Sequence, residues 1–89
     1  MMYPYIKFDD ETEVTFSQII KKEEKEIIEV HFERPTENGF DTARCKLPSY
    51  EWIFIEGYNA EEIKYFTEFL EHNVHLLYKY SKEGGIKIA

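Results

Sequence analysis

A chain of 89 residues with 43% hydrophobic residues, 17% aromatics and a formal charge of −7 is long enough for one small core and too apolar for intrinsic disorder. No segment is basic, which argues against direct contact with a nucleic-acid backbone or an anionic membrane surface. The lone Cys45 rules out an internal disulfide, no run of about 18 apolar residues reads as a membrane span, and no secretory apolar segment opens the chain, so a single cytoplasmic domain over residues 1–89 is expected.

The first strand is expected over Tyr3 to Phe8, where alternation places Ile6 and Phe8 on the core face and Tyr5 and Lys7 opposite. Asp9-Asp10-Glu11 reads as a turn, since short acidic side chains can accept from nearby backbone N–H groups. A second strand runs from Glu13 to Ile20, with Val14, Phe16 and Ile20 inward, and pairs with the first as a hairpin. The charged run Lys21 to Lys25 is a solvated turn. Glu26 to Arg34 alternates most clearly of all: Ile28, Val30 and Phe32 point in, and Ile27, Glu29, His31 and Glu33 point out.

Asn38-Gly39 is a strong turn dipeptide. It leads to a fourth strand, Phe40 to Leu47, with Ala43, Cys45 and Leu47 inward. After Pro48-Ser49 a fifth strand covers Tyr50 to Ile55; either Trp52 and Phe54 or Ile53 and Ile55 face the core. Tyr3, Tyr5, Ile19 and Ile27 are assigned to the outer face of the first three strands, as a binding patch or as ordinary edge decoration. Strands in a row followed by one helix indicate an α+β fold: an antiparallel meander of about five strands, a long C-terminal helix packed on one face, and a short terminal edge strand at Ile86-Lys87-Ile88.

The helix is expected over Asn59 to Glu83. Asn59 with Glu62 forms a capping box, Tyr58 and Ile63 are spaced as a hydrophobic staple, and Gly84-Gly85 stop the helix. Asn73 is the one polar interruption at which the helix could break. Ile63, Phe66, Leu70, Val74 and Leu77 make one apolar stripe, and Tyr65, Phe69, Leu76 and Tyr80 make a second beside it. Together they span about 200° at 100° per residue, twice what packing on one sheet requires. The second stripe is covered either by the chain's own loops or by another protein, and a homodimer is the favoured expectation.

Three constellations could carry chemistry. Glu68, Glu71, His72 and His75 share the polar helix face; His72 and His75 at i,i+3 could ligate Zn with a carboxylate, although the spacing is not that of H-E-x-x-H zinc proteases. Helix-supporting ion pairs are the simpler account of the same four residues. His31 between Glu29 and Glu33 is a candidate proton-transfer group, or part of a surface salt network with Arg44 and Lys46. Cys45 lies between Arg44 and Lys46, but strand alternation turns its thiol inward, away from those cations.

No motif names a reaction. The leading expectation is a small acidic protein that is not an enzyme: an interaction or regulatory domain acting as a homodimer or partner binder through Tyr65, Phe69, Leu76 and Tyr80. A special case is an inhibitor covering a basic surface with Asp9, Asp10, Glu11 and Glu13. The alternative is a Zn-binding protein or metal-dependent enzyme using His72, His75, Glu68 and Glu71. Lys outnumbers Arg nine to two and Ala is scarce, a bias typical of AT-rich bacterial or phage genomes.

Overall fold

The computed structural model describes residues 1–86. Six strands precede one helix: β1 (Met2–Lys7), β2 (Glu13–Ser17), β3 (Ile20–Lys22), β4 (Lys25–Thr36), β5 (Gly39–Leu47), β6 (Glu51–Glu56) and α1 (Ala60–Lys82). All pairings are antiparallel, in the order β1-β2-β4-β5-β6, with β3 beside the start of β4. The fold is therefore the expected α+β meander with the helix on one face. Of the terminal strand expected at Ile86-Lys87-Ile88, only Ile86 belongs to the described residues, and it is not in a strand.

The alternation read in the sequence places the core. Val14 and Phe16 from β2, Ile28, Val30 and Phe32 from β4, and Ala43, Cys45 and Leu47 from β5 meet Phe66, Leu70 and Leu77 of α1. The capping box is formed: Asn59 Oδ1 accepts from Glu62 N, and Glu62 Oε1 accepts from Asn59 N. At the far end Gly84 and Gly85 have positive φ, and Gly85 N–H donates to Tyr80 O. A Cβ at Gly85 would sit 3.0 Å from the Tyr3 ring, a tight contact on a backbone already at φ +109°, so glycine there eases the approach of the helix end to β1.

Four departures from the alternation have local causes. Tyr5 sits at a bulge in β1 and turns inward, onto Phe16, Phe69 and Tyr80, while Ile6 is left 48% exposed. Tyr3 pairs with Phe16 and also packs on the core, as does Ile19, so the outer patch of Tyr3, Tyr5, Ile19 and Ile27 is not assembled. The second strand stops at Ser17, whose hydroxyl bonds Gln18 O and Glu29 N. The chain restarts as β3, so Ile20 pairs with outward Ile27 rather than joining Val14 and Phe16. The Lys21–Lys25 turn is tighter than a solvated loop: Glu23 and Glu24, both at positive φ, close a two-residue hairpin between β3 and β4.

The fifth predicted strand, now β6, resolves its ambiguity through another bulge. Trp52 lies opposite Cys45 and Phe54 opposite Arg44, so Ile53 is the extra residue. Trp52 and Ile55 share the helix side, and Phe54 points to the open face, a combination that neither simple alternation produces. The helix does not break at Asn73. Its Nδ2 donates to Phe69 O and its Oδ1 accepts from Tyr5 Oη at 2.6 Å, so the polar interruption is a tie to β1. Similar ties run from Trp52 Nε1 to Thr67, from Ser81 Oγ to Ser17 O and from Tyr78 Oη to Glu26 O.

Cys45 is fully buried, and burial, helped by the Glu51 charge, pushes its thiol from 9.0 up to about 12. In the folded protein it is expected to resist thiol reagents near pH 8, where an exposed cysteine labels readily. Timed labelling of the native and the urea-unfolded protein checks this, and fast stoichiometric modification of the native state would contradict the inward placement.

Candidate interaction surface

Two polar clusters and two apolar surfaces stand out. The first cluster centres on Arg34, which alternation places on the helix side of β4. Its Nε and Nη2 both donate to Asp41 Oδ2 at 2.9 and 2.8 Å, and its Nη1 donates to Asp10 Oδ2 at 2.9 Å and Glu62 Oε2 at 2.7 Å. The guanidinium also lies 4.6 Å from the Tyr58 ring centroid, and the Tyr58 hydroxyl shares a buried hydrogen bond with Thr12. One cation thus ties the β1–β2 turn, β4, β5 and the first turn of α1. The hydrogen bonds it donates to Glu62 and Asp41 raise the Arg34 pKa still further, so it is permanently charged. Gly57, at φ +91°, is required here, since a Cβ would fall 2.6 Å from Asp41 Cγ.

With every Arg34 donor group except one engaged by carboxylates, this is a joint between elements and offers little to a ligand. It also withdraws Asp10 from the acidic turn: Asp10 binds Arg34 and Thr12 N–H, and Glu11 pairs with Lys7. Asp9, Asp10, Glu11 and Glu13 therefore do not stand as four free carboxylates.

The second cluster is on the open sheet face. His31 Nε2 lies 3.1 Å from Glu29 Oε1, half-buried, with Thr15 and Arg44 as its cross-strand neighbours. Lys46 is the cross-strand neighbour of Glu29. On the helix, Glu68, Glu71, His72 and His75 are all exposed. Among the described residues no group of three or more His, Cys, Asp or Glu side chains is placed to hold a metal ion, and no His72 or His75 ion pair forms.

The second helix stripe is divided by the fold. Phe69 and Tyr80 pack on Tyr5 and the core, and Phe69 also meets Phe8. Tyr65 and Leu76 remain 57% and 42% exposed. Beside Tyr65 a groove of about 450 Å³ is lined by Ile6, Phe8 and Phe66, with Asp9, Asp10 and Glu62 at its rim. The β1 hairpin has thus taken half of the stripe that was expected to face a partner.

The other apolar surface is at β6. Its backbone pairs with no strand but β5, so its other side is a free strand edge among the described residues. Ile53, Phe54 and Ile55 are 39%, 43% and 46% exposed. The other edges carry the usual protections. β1 has Pro4 and a bulge at Tyr5, and β3 is three residues long with two lysines. β6 has neither lysine nor proline, and beyond its bulge Phe54, Ile55 and Glu56 pair regularly with β5. This edge was legible in principle: the last strand of a meander is an edge by topology, and four consecutive bulky apolar residues cannot all face one core.

Comparison of the chain with family models, with curated proteins and with solved structures yields no match. No helix among the described residues is long and apolar enough to cross a membrane.

Proposed function

We propose that this chain is a protein-interaction domain that recruits another polypeptide by extending its sheet at β6. The carrying observation is the combination at that edge of free backbone groups with Ile53, Phe54 and Ile55, all more than a third exposed and without the lysine or proline that blunts an exposed edge. Strand addition supplies affinity through main-chain hydrogen bonds and specificity through the flanking side chains. Tyr65 and Leu76, the exposed half of the second helix stripe, form a separate patch on the β1 side and are a secondary contact. The role is regulatory or scaffolding rather than catalytic, and the domain acts in the cytoplasm, where a lone reduced thiol such as Cys45 persists.

Ile55→Lys tests the reading. A lysine on the edge opposes strand addition while leaving the core untouched. Immobilised wild-type protein is expected to retain specific partners from the cells it comes from, or further copies of itself, and the folded variant to lose them. Unchanged binding by a variant with native circular dichroism and melting would sink the proposal.

A further inference from the structure

We propose that the strand added at β6 is β6 of a second copy, paired antiparallel about a two-fold axis at Ile55. This rests on the edge reading above and names its occupant. A two-fold axis normal to a sheet keeps every side chain on its own face, so residues facing each other across it must have the same orientation. The bulge at Ile53 limits regular pairing to Phe54, Ile55 and Glu56. Within that segment, centring on Ile55 sets Ile55 against its own copy on the helix side and Phe54 against the partner's Glu56 on the open face.

Charge favours this register. Arg44 already lies over the Phe54 ring, its guanidinium carbon 5.6 Å from the centroid, and Arg44 is the cross-strand partner of Phe54. Adding a strand places the partner's Glu56 next in the same row, so that Arg44, Phe54 and that carboxylate lie in line across three strands. Neighbouring strands are about 4.8 Å apart, and an arginine lying along the ring spans the distance. The two-fold axis makes the arrangement twice. Centring between Ile53 and Phe54 instead would oppose Glu51 and Glu56, like charges that destabilise a cross-strand pair, and would also violate the face rule.

The opposite end of the sheet is not available for the same contact. There β1 carries Pro4 and a bulge, which blunt its edge, and Gly85 lies close to the Tyr3 ring. A short edge-to-edge contact buries less than the roughly 800 Å² per partner of a standard interface, so the dimer is expected to be reversible and micromolar.

Sedimentation of the full chain across a concentration series, with site-directed cross-linking, tests this. Wild type is expected to shift from monomer to dimer as concentration rises, and Ile55→Lys to stay monomeric. Under mild oxidation Ile55→Cys is expected to form a disulfide dimer, because Cα atoms facing across an antiparallel pair lie within disulfide reach. Phe54→Cys alone, which faces Glu56 in this register, is expected to cross-link far less, and buried Cys45 serves as an unreactive internal control. A wild-type monomer at every concentration, or cross-linking of Phe54→Cys in preference to Ile55→Cys, overturns the proposal. If that monomer still loses its cellular partners on Ile55→Lys, the edge reading survives with another occupant; if it does not, both fall.

Discussion

Replacing Phe66 with alanine is expected to destabilise the protein by about 4 kcal/mol, within the range for large aromatic truncations in a core. Phe66 is 2% exposed and occupies the centre of the contact between helix and sheet. Its ring stacks on Phe32 at 4.2 Å with an interplanar angle of 10°, and meets Tyr58 edge-on at 4.9 Å. Phe8 and Trp52 close the remaining sides at 6.0 and 6.4 Å. These neighbours come from β1's outgoing turn, β4, β6 and the helix entry, so no single shift can fill the space left behind. A chain of this size has a total stability of roughly 4–13 kcal/mol, so most of it could be lost. At about 4–8 °C per kcal/mol the melting temperature is expected to fall by about 20 °C. Urea and thermal unfolding measure this directly, with Tyr65→Ala as the comparison. Tyr65 neighbours Phe66 but is 57% exposed, and its loss is expected to cost far less. A Phe66→Ala cost near that of Tyr65→Ala would mean that the aromatic centre is not packed as described.

Arg34→Met is expected to cost about 3 kcal/mol at neutral pH, the scale for removing one partner of a largely buried ion pair. The side chains of Arg34, Asp41 and Glu62 are 22%, 19% and 28% exposed, so solvent screens them only partly. Without the guanidinium, Asp10, Asp41 and Glu62 face one another with no cation between them. Arg34→Lys is expected to recover only part of the loss, since one ammonium cannot reproduce four directed hydrogen bonds.

The effect also has a pH signature. Burial pushes the Asp10 carboxyl up, but the Thr12 N–H and hydroxyl and the Arg34 guanidinium outweigh it and hold Asp10 below its ordinary 3.8. A carboxyl depressed in the folded state stabilises fully above its unfolded pKa, and that contribution disappears as pH falls through the lower folded value. The gap between wild type and Arg34→Met should therefore be constant from neutral pH to about pH 5 and narrow, by the Arg34 share of the Asp10 depression, as pH falls below about 4. Urea unfolding of both proteins over that range tests it; a gap wholly unchanged in acid would show that the Arg34–Asp10 bond contributes nothing to it.

Much of the fold was legible without coordinates because its determinants are local. Alternation identified Val14, Phe16, Ile28, Val30, Phe32, Ala43, Cys45 and Leu47 as core, since successive side chains on a strand must point oppositely. The cap at Asn59 and the stop at Gly84-Gly85 were equally local, each depending on residues within one helical turn. Where alternation misled, at Tyr5, Ile20 and Ile53, the cause was a bulge or a strand break, and those depend on what the neighbouring strand offers.

The candidate surface divides in the same way. The apolar surplus of the helix was readable from its period, and it exists. That Phe69 and Tyr80 are covered by Tyr5 while Tyr65 and Leu76 are not was decided by β1 folding across the helix. The Arg34 joint gathers residues 10, 34, 41 and 62, whose spacing carries no signal until the sheet brings them together. By itself the sequence determined the helix, most strands, most inward faces and the single-helix α+β class, because these follow from steric periodicity along the chain. Only the tertiary structure decided which apolar residues remain uncovered and which charges meet, because both are relations between segments tens of residues apart.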